Sequence, residues 1–483
     1  MNNKGSGFCS RRHFFKANAY GLGSVALPWL LRDDGLLAAP VKPHTGPAKF
    51  DLKPKMPPSP GKAKAMISLF MMGGPSHMDL LDPKPLLAQY DGKPFPGDIK
   101  FDNAAEASSK VFASPFKFKK YGQSGIEVSE LLPHLAGIVD DISVVRSMRT
   151  GVNNHRESLF AVNTGNFRAG RPALGSWICY GLGSETRNLP AYVALTDPRG
   201  LPQFAQEHWT SGWLPSIYQG TQIRPTEPRI LNLDPAEHLR GPAQNRQLAW
   251  LQQGNREHLA GHPGEHDLEA RIATYELAAR MQTAAKEALD VSGESDATKK
   301  LYGLDKESTR DYATRCLIAR RLVERGVRFV QIVNVGQSWD HHGGLITALP
   351  KSCNAVDQPC AALVSDLKSR GLLDSTLVHW GGEMGRLPVV QNDTGREKAG
   401  RDHNTYGFTI WLAGGGIRGG YVHGETDEWG QHAVKDVVHH YDYLATLLHL
   451  FGFDHQHLIY KRNAIETRLT DNQPARVVKE LLS

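Results

Sequence analysis

The chain has 483 residues, of which 40% are hydrophobic, 22% charged and 8% aromatic. That is the composition of a core-forming globular protein and excludes a disordered, collagen-like or membrane-embedded chain. The formal net charge is +6. Residues 1–39 hold Lys4, Arg11, Arg12, Lys16 and Arg32 against Asp33 and Asp34, so much of the excess sits there. The remainder has no sustained Lys/Arg block and gives no electrostatic basis for nucleic-acid binding.

The N-terminus reads Ser10-Arg11-Arg12-His13-Phe14-Phe15-Lys16, then a weakly apolar run from Ala17 to Leu31 and the small pair Ala38 and Ala39. The order of paired arginines, Phe, Lys and modest apolar run resembles a twin-arginine export signal. The resemblance implies the twin-arginine export machinery as a partner and an exported, periplasmic or extracellular location. It also implies folding before export, often around an inserted metal or cofactor. The apolar run is shorter than about 18 residues and carries Asn18 and Pro28, so no permanent membrane span is expected. Cys179, Cys316, Cys353 and Cys360 show no Cys-x-x-Cys spacing and are expected as buried free thiols, with a Cys353–Cys360 pair as the alternative.

Residues 40–63 contain seven prolines and read as an extended linker. A single domain is expected over residues 64–475, with a helical insertion at about 245–325 and a tail at 476–483. Continuous apolarity from Ala65 to Met72, closed by Gly73 and Gly74, predicts a strand buried on both faces. Further strands are predicted at Ile142 to Arg146, Ala191 to Leu195 and Ile230 to Leu233. Leu, Ala, Glu, Gln and Arg dominate Asn245 to Asp290, which predicts helix with a break around Gly261 to Gly264. A helix from about Ser308 to Arg325 stops at Gly326 and leads into a strand from Val327 to Val335. The pattern repeats: a helix ending near Gly371, strands from Ser375 to Trp380 and Phe408 to Ala413, and a helix from about Asp436 to Phe451. Helices alternating with buried strands predict an α/β fold, a mostly parallel sheet with helices on both faces.

Ligands of such sheets gather at the carboxyl ends of the strands. After the first strand come His77 and Asp79; after Val335 come Asp340, His341 and His342; after Trp380 comes Glu383 with Arg386; a later loop brings Asp402 and His403. Carboxylates and imidazoles following separate strands are the material of a metal site. The candidate ligands are Asp340, His342, His403, Glu383, His77 and Asp79. They suit a divalent zinc, calcium, manganese or iron ion, and the residue types do not choose among these. The glycines from Gly414 to Gly420 lack a following Lys-Ser or Lys-Thr and read as a tight turn, not a phosphate cradle.

Seven motifs carry a further resemblance. They are Gly-Gly-Pro-Ser-His-Met-Asp at 73–79, Asn-Asn-His at 153–155, the run from Ala319 to Val330, Ser-Trp-Asp-His-His at 338–342, Gly-Glu-Met-Gly-Arg at 382–386, Gly-Arg-Asp-His at 400–403 and the stretch from Leu412 to Gly420. With them the chain resembles the exported proteins grouped as domain of unknown function 1501, allied to the alkaline phosphatase and sulfatase superfamily. The resemblance implies an alkaline phosphatase-like fold. It also implies a metal-dependent hydrolase that cleaves phosphate or sulfate esters of small molecules or glycans with metal-activated water. Asp340, His342 and His403 resemble the Asp, His and His of one metal position. Glu383 resembles the acid of a second, where Met384 follows it, and His77 or Asp79 stands in for an acid at the end of the first strand. Sulfatases carry a modified Cys or Ser about nine residues before a Thr-Gly pair; counting back from Thr164 and Gly165 reaches His155. His155 is therefore read as a general base or metal ligand, with Asn154 beside it, and Arg386 as the donor that steadies the anion. The alternative is a non-catalytic binding or scaffold protein that retains the fold, which the departures at Met384 and His155 favour.

Overall fold

The computed structural model describes residues 51–99, 101, 108–231, 233–262, 265–391, 395–462 and 465–483. The export signal read at residues 1–39 and the linker residues 40–50 lie outside them. From Lys55 onward the described part of the linker lies against the body: Lys55 N–H donates to the Leu182 carbonyl at 2.9 Å and Ala63 N–H to that of Leu450 at 3.0 Å.

Among the described residues the central sheet has nine strands. They are β1 (Ala65–Phe70), β2 (Ile142–Arg149), β3 (Tyr192–Leu195), β4 (Thr221–Ile223), β5 (Phe329–Val333), β6 (Thr376–Gly381), β7 (Phe408–Ala413), β8 (Tyr421–His423) and β9 (Val438–His439). Their order is β8-β2-β7-β6-β1-β5-β3-β4, with β9 also pairing with β2. Only β7 runs antiparallel, to β6 on one side and β2 on the other; the other pairings are parallel. The longer helices are α1 (His155–Thr164), α2 (Leu174–Leu182), α3 (Pro242–Ala260), α4 (His266–Leu289), α5 (Glu307–Glu324), α6 (Leu345–Ser369) and α7 (His440–Leu450).

Alternation along β1 shows how the layers form. Ile67 and Leu69 pack with Cys316, Leu317, Leu349 and Leu363 of α5 and α6. Met66 and Phe70 enter a second cluster with Leu159, Trp177, Leu444 and Leu447 of α1, α2 and α7. Side chains of period two thus reach opposite faces, and each face is covered by helices. The fold is α/β, with a mostly parallel sheet. No helix among the described residues is long and apolar enough to cross a membrane.

The predicted strand at Ile230 to Leu233 does not form where described; the strand in this region is β4, paired with β3. Residues 224–229 turn back on themselves, with Arg224 N–H donating to the Arg229 carbonyl at 2.8 Å. Ile230 and Leu233 pack against the core from this loop, so their apolarity is satisfied by side-chain burial without a ladder. The final helix begins at His440, later than predicted, because Val438–His439 extends the sheet as β9. The last residues pack back, with Val478 and Leu481 buried.

All four described cysteines are free and buried. Cys353 and Cys360 lie on α6, seven residues apart. At about 1.5 Å rise per residue their Cα atoms are roughly 10 Å apart, beyond disulfide reach.

Candidate metal centre

The sheet order puts β1 between β5 and β6, with Phe70 opposite both Val333 and Gly381. The loops leaving these three strands therefore emerge side by side. Trp339 N–H donates to the Met72 carbonyl at 3.1 Å, and Gly73 N–H donates to Glu383 Oε1 at 2.9 Å. Gly73 has φ +112°, and a Cβ there would lie 2.5 Å from the Asp340 nitrogen. Glycine allows the first loop to touch the one that carries the acid.

Four side chains from three segments meet over this junction. Asp340 and His342 follow β5, His403 lies on a two-residue strand, His403–Asn404, beside Gly385–Arg386, and His155 opens α1. Asp340 Oδ1 is 2.9 Å from His342 Nε2 and 3.5 Å from His403 Nε2, while Oδ2 is 3.4 Å from His155 Nε2. The two Nε2 atoms of His342 and His403 are 3.0 Å apart. One ligand atom from each of the four residues lies within 4.8 Å of the others. His155 and His403 are buried; Asp340 and His342 are partly exposed, so the cluster has an open side.

The outward nitrogens are also held. His155 Nδ1 is 2.6 Å from Glu383 Oε1, and Glu383 is fully buried. His342 Nδ1 meets Gln391 Oε1. Ionised carboxylate and amide oxygens only accept hydrogen bonds, so both contacts keep a proton on Nδ1 and turn Nε2 towards the shared centre.

Burial works against charge on His155, but its hydrogen bonds to Asp340 and Glu383 together outweigh it and raise its pKa to about 9. Burial likewise opposes ionisation of Asp340, yet hydrogen bonds from His155, His342 and His403 and the charge of Arg386 hold it far below the usual carboxylate range. For His403, burial with the charges of Arg386 and His155 outweighs its bond to Asp340, and its pKa falls. The cluster is thus one network in which Asp340 is the common anion.

Of the residues singled out in the sequence, Asp340, His342, His403 and His155 converge. The others lie outside this group of four. Arg386 is fully buried. It donates to the carbonyls of Gly74 at 2.9 Å and Arg401 at 3.1 Å, to that of Gly73, and to Asp340 Oδ1 at 2.5 Å. Its fork is occupied by acceptors of the protein itself. Glu383 stands behind His155 and not among the converging groups. Asp79 is fully buried and paired with Arg401 at 2.8 Å, and His77 Nε2–H donates to the Gly430 carbonyl at 2.8 Å. Asn154 is the N-cap of α1; its side chain accepts from Arg156 N–H at 2.9 Å. Gln391 was not legible in the sequence: it follows no strand, and an amide carries no metal-site signature.

No curated protein matches the sequence significantly. Among solved structures, PsFucS1 sulfatase from Pseudoalteromonas sp. is similar at 13% identity and TM-score 0.33, over 66% of this chain and 62% of that one. The phosphonate monoester hydrolase SpPMH from Silicibacter pomeroyi is similar at 11% identity and TM-score 0.31, over 73% and 71% of the two chains. Alkaline phosphatase from the Antarctic bacterium TAB5 is similar at 10% identity and TM-score 0.29, over 73% and 92%. Residues 63–482 match the family described as protein of unknown function (DUF1501), and the chain belongs to that family.

Proposed function

We propose that this protein is an exported, metal-dependent hydrolase of phosphate or sulfate esters with an alkaline phosphatase-like fold. The observation that carries the reading is the convergence of three imidazole Nε2 atoms on one carboxylate, with the Nδ1 of two rings held by acceptors. Two Nε2 lone pairs aimed at each other across 3.0 Å repel unless a proton or cation lies between them. The Nε2 of His155 is buried and faces Asp340 Oδ2 at 3.4 Å, a long contact for a hydrogen bond. Three nitrogens and one carboxylate oxygen are a donor set that fits zinc, manganese or iron better than calcium, which takes six or more oxygens.

In this reading His155, His342, His403 and Asp340 are the ligands, and Glu383 fixes the His155 ring. A divalent cation bound there supplies Lewis acidity towards an ester oxygen and makes a water more acidic. The fixed charges of Asp340 and Glu383 against Arg386 leave the loaded site with one net positive charge, which favours an anionic ester. His155 stands where the resemblance places the modified Cys or Ser of sulfatases, so the reaction uses water and not a covalent enzyme ester. The twin-arginine motif supports loading of the ion before export.

Metal analysis and ester hydrolysis on purified protein test this reading, with Asp340→Asn and His403→Ala as controls. A wild-type protein that holds no metal and cleaves no phosphate or sulfate ester overturns it. The second reading, a binding protein without turnover, is favoured by Met384: it is 1% exposed and follows Glu383 where the second metal's ligands are expected. Metal bound without hydrolysis of any ester class supports that alternative.

A further inference from the structure

His342 is held from two sides. Its Nε2 faces Asp340 and His403, and its Nδ1 meets Gln391 Oε1. Gln391 is 4% exposed and anchored through its backbone, where N–H donates to the Gly400 carbonyl at 3.1 Å. The segment that follows is laced to the His342 loop. Gly344 N–H donates to Lys398 O at 2.9 Å, Leu345 N–H to Ala399 O at 2.9 Å, and Arg401 N–H to His341 O at 3.0 Å. A Cβ on Gly400 would lie 2.1 Å from the His342 carbonyl carbon, so this approach requires glycine. Residues 398–401 continue into His403, so the stretch tied to the His342 loop also delivers a cluster histidine.

We propose that Gln391 is a positioning residue that fixes the tautomer and ring orientation of His342 and thereby sets the affinity of the metal centre. This rests on the metal reading of the cluster. His155 is oriented by the carboxylate of Glu383, which adds charge. The amide of Gln391 orients His342 without adding any. Outer acceptors of this kind hold a ligand's nitrogen on its target, and their loss typically lowers metal affinity about ten- to a hundredfold.

The test titrates the full chain with Zn2+ and Co2+, comparing wild type, Gln391→Leu and Gln391→Glu. Gln391→Leu is expected to weaken both ions about ten- to a hundredfold, and Gln391→Glu, which keeps the acceptor, to recover most of that loss. In the Co2+-loaded protein, proton NMR reads the shifted, exchangeable Nδ1–H of each bound histidine. One such resonance is expected to vanish by solvent exchange in Gln391→Leu and to persist in Gln391→Glu. Equal affinity and an unchanged set of resonances in Gln391→Leu overturn the role of Gln391 alone. A wild type that takes up neither ion overturns the metal reading and this assignment with it. Should the leucine variant fail to fold, loss of the resonance in Gln391→Glu also overturns the proposal.

Discussion

The guanidinium of Arg386 meets the carboxylate of Asp340 at 2.5 Å while also holding the carbonyls of Gly74 and Arg401. One buried cation thus fastens the loops after β1 and β5 to the segment that carries His403. Removing the guanidinium takes a cation from Asp340 and leaves the carbonyls of Gly73, Gly74 and Arg401 without this donor, at a cost of about 3–5 kcal/mol. Arg386→Met is expected to lower stability by that order in a denaturant titration of metal-free protein. Arg386→Lys rescues little, because a point ammonium does not span the same carbonyls. An Arg386→Met protein as stable as wild type refutes the fastening role.

Glu383 accepts from Gly73 N–H and holds His155 Nδ1. Glu383→Ala is expected to lose about ten- to a hundredfold in metal affinity while retaining one ion per chain at saturation. Competition with a chelator measures the first and elemental analysis the second. Loss of the ion at saturation makes Glu383 a ligand instead.

His155 has a folded-state pKa of about 9, above its ordinary value of 6.5. A raised histidine contributes stability that is fully present below the unfolded pKa and is lost as pH rises through the folded one. Metal-free protein is therefore expected to melt at lower temperature as pH goes from about 6.5 to 9. His155→Gln flattens that part of the profile. A melting temperature insensitive to pH in this window for wild type contradicts the assignment.

Asp79 and Arg401 form a fully buried pair outside the cluster. Asp79→Asn is expected to destabilise the fold by about 3–5 kcal/mol, the cost of stranding a buried charge. It leaves metal stoichiometry unchanged, as does His77→Ala. Thermal unfolding together with metal content separates the two effects, and loss of the ion in either variant restores these residues as ligands.

The sequence by itself determined six of the nine strands of the central sheet and the acid-imidazole material, but not β4, β8 or β9. Continuous apolarity marked β1, the run Phe408–Ala413 formed β7 over those residues, and the glycine at 326 closed the helix before β5. These are local signals, set by side-chain period and backbone freedom within a few residues. Asp340 and His342 were legible because an acid and an imidazole close after a buried strand are chemically conspicuous, and His403 because it stands beside Asp402 in a later loop.

Only the tertiary structure decided which of these groups face one another. That β1 lies between β5 and β6, and that β7 runs antiparallel, follows from packing among strands far apart in the chain. The directions of Arg386, Glu383, His77 and Asp79 follow from loop paths that no local period encodes. Those paths set Arg386 against Asp340 and Glu383 against His155, paired Asp79 with Arg401, and set Gln391 behind His342.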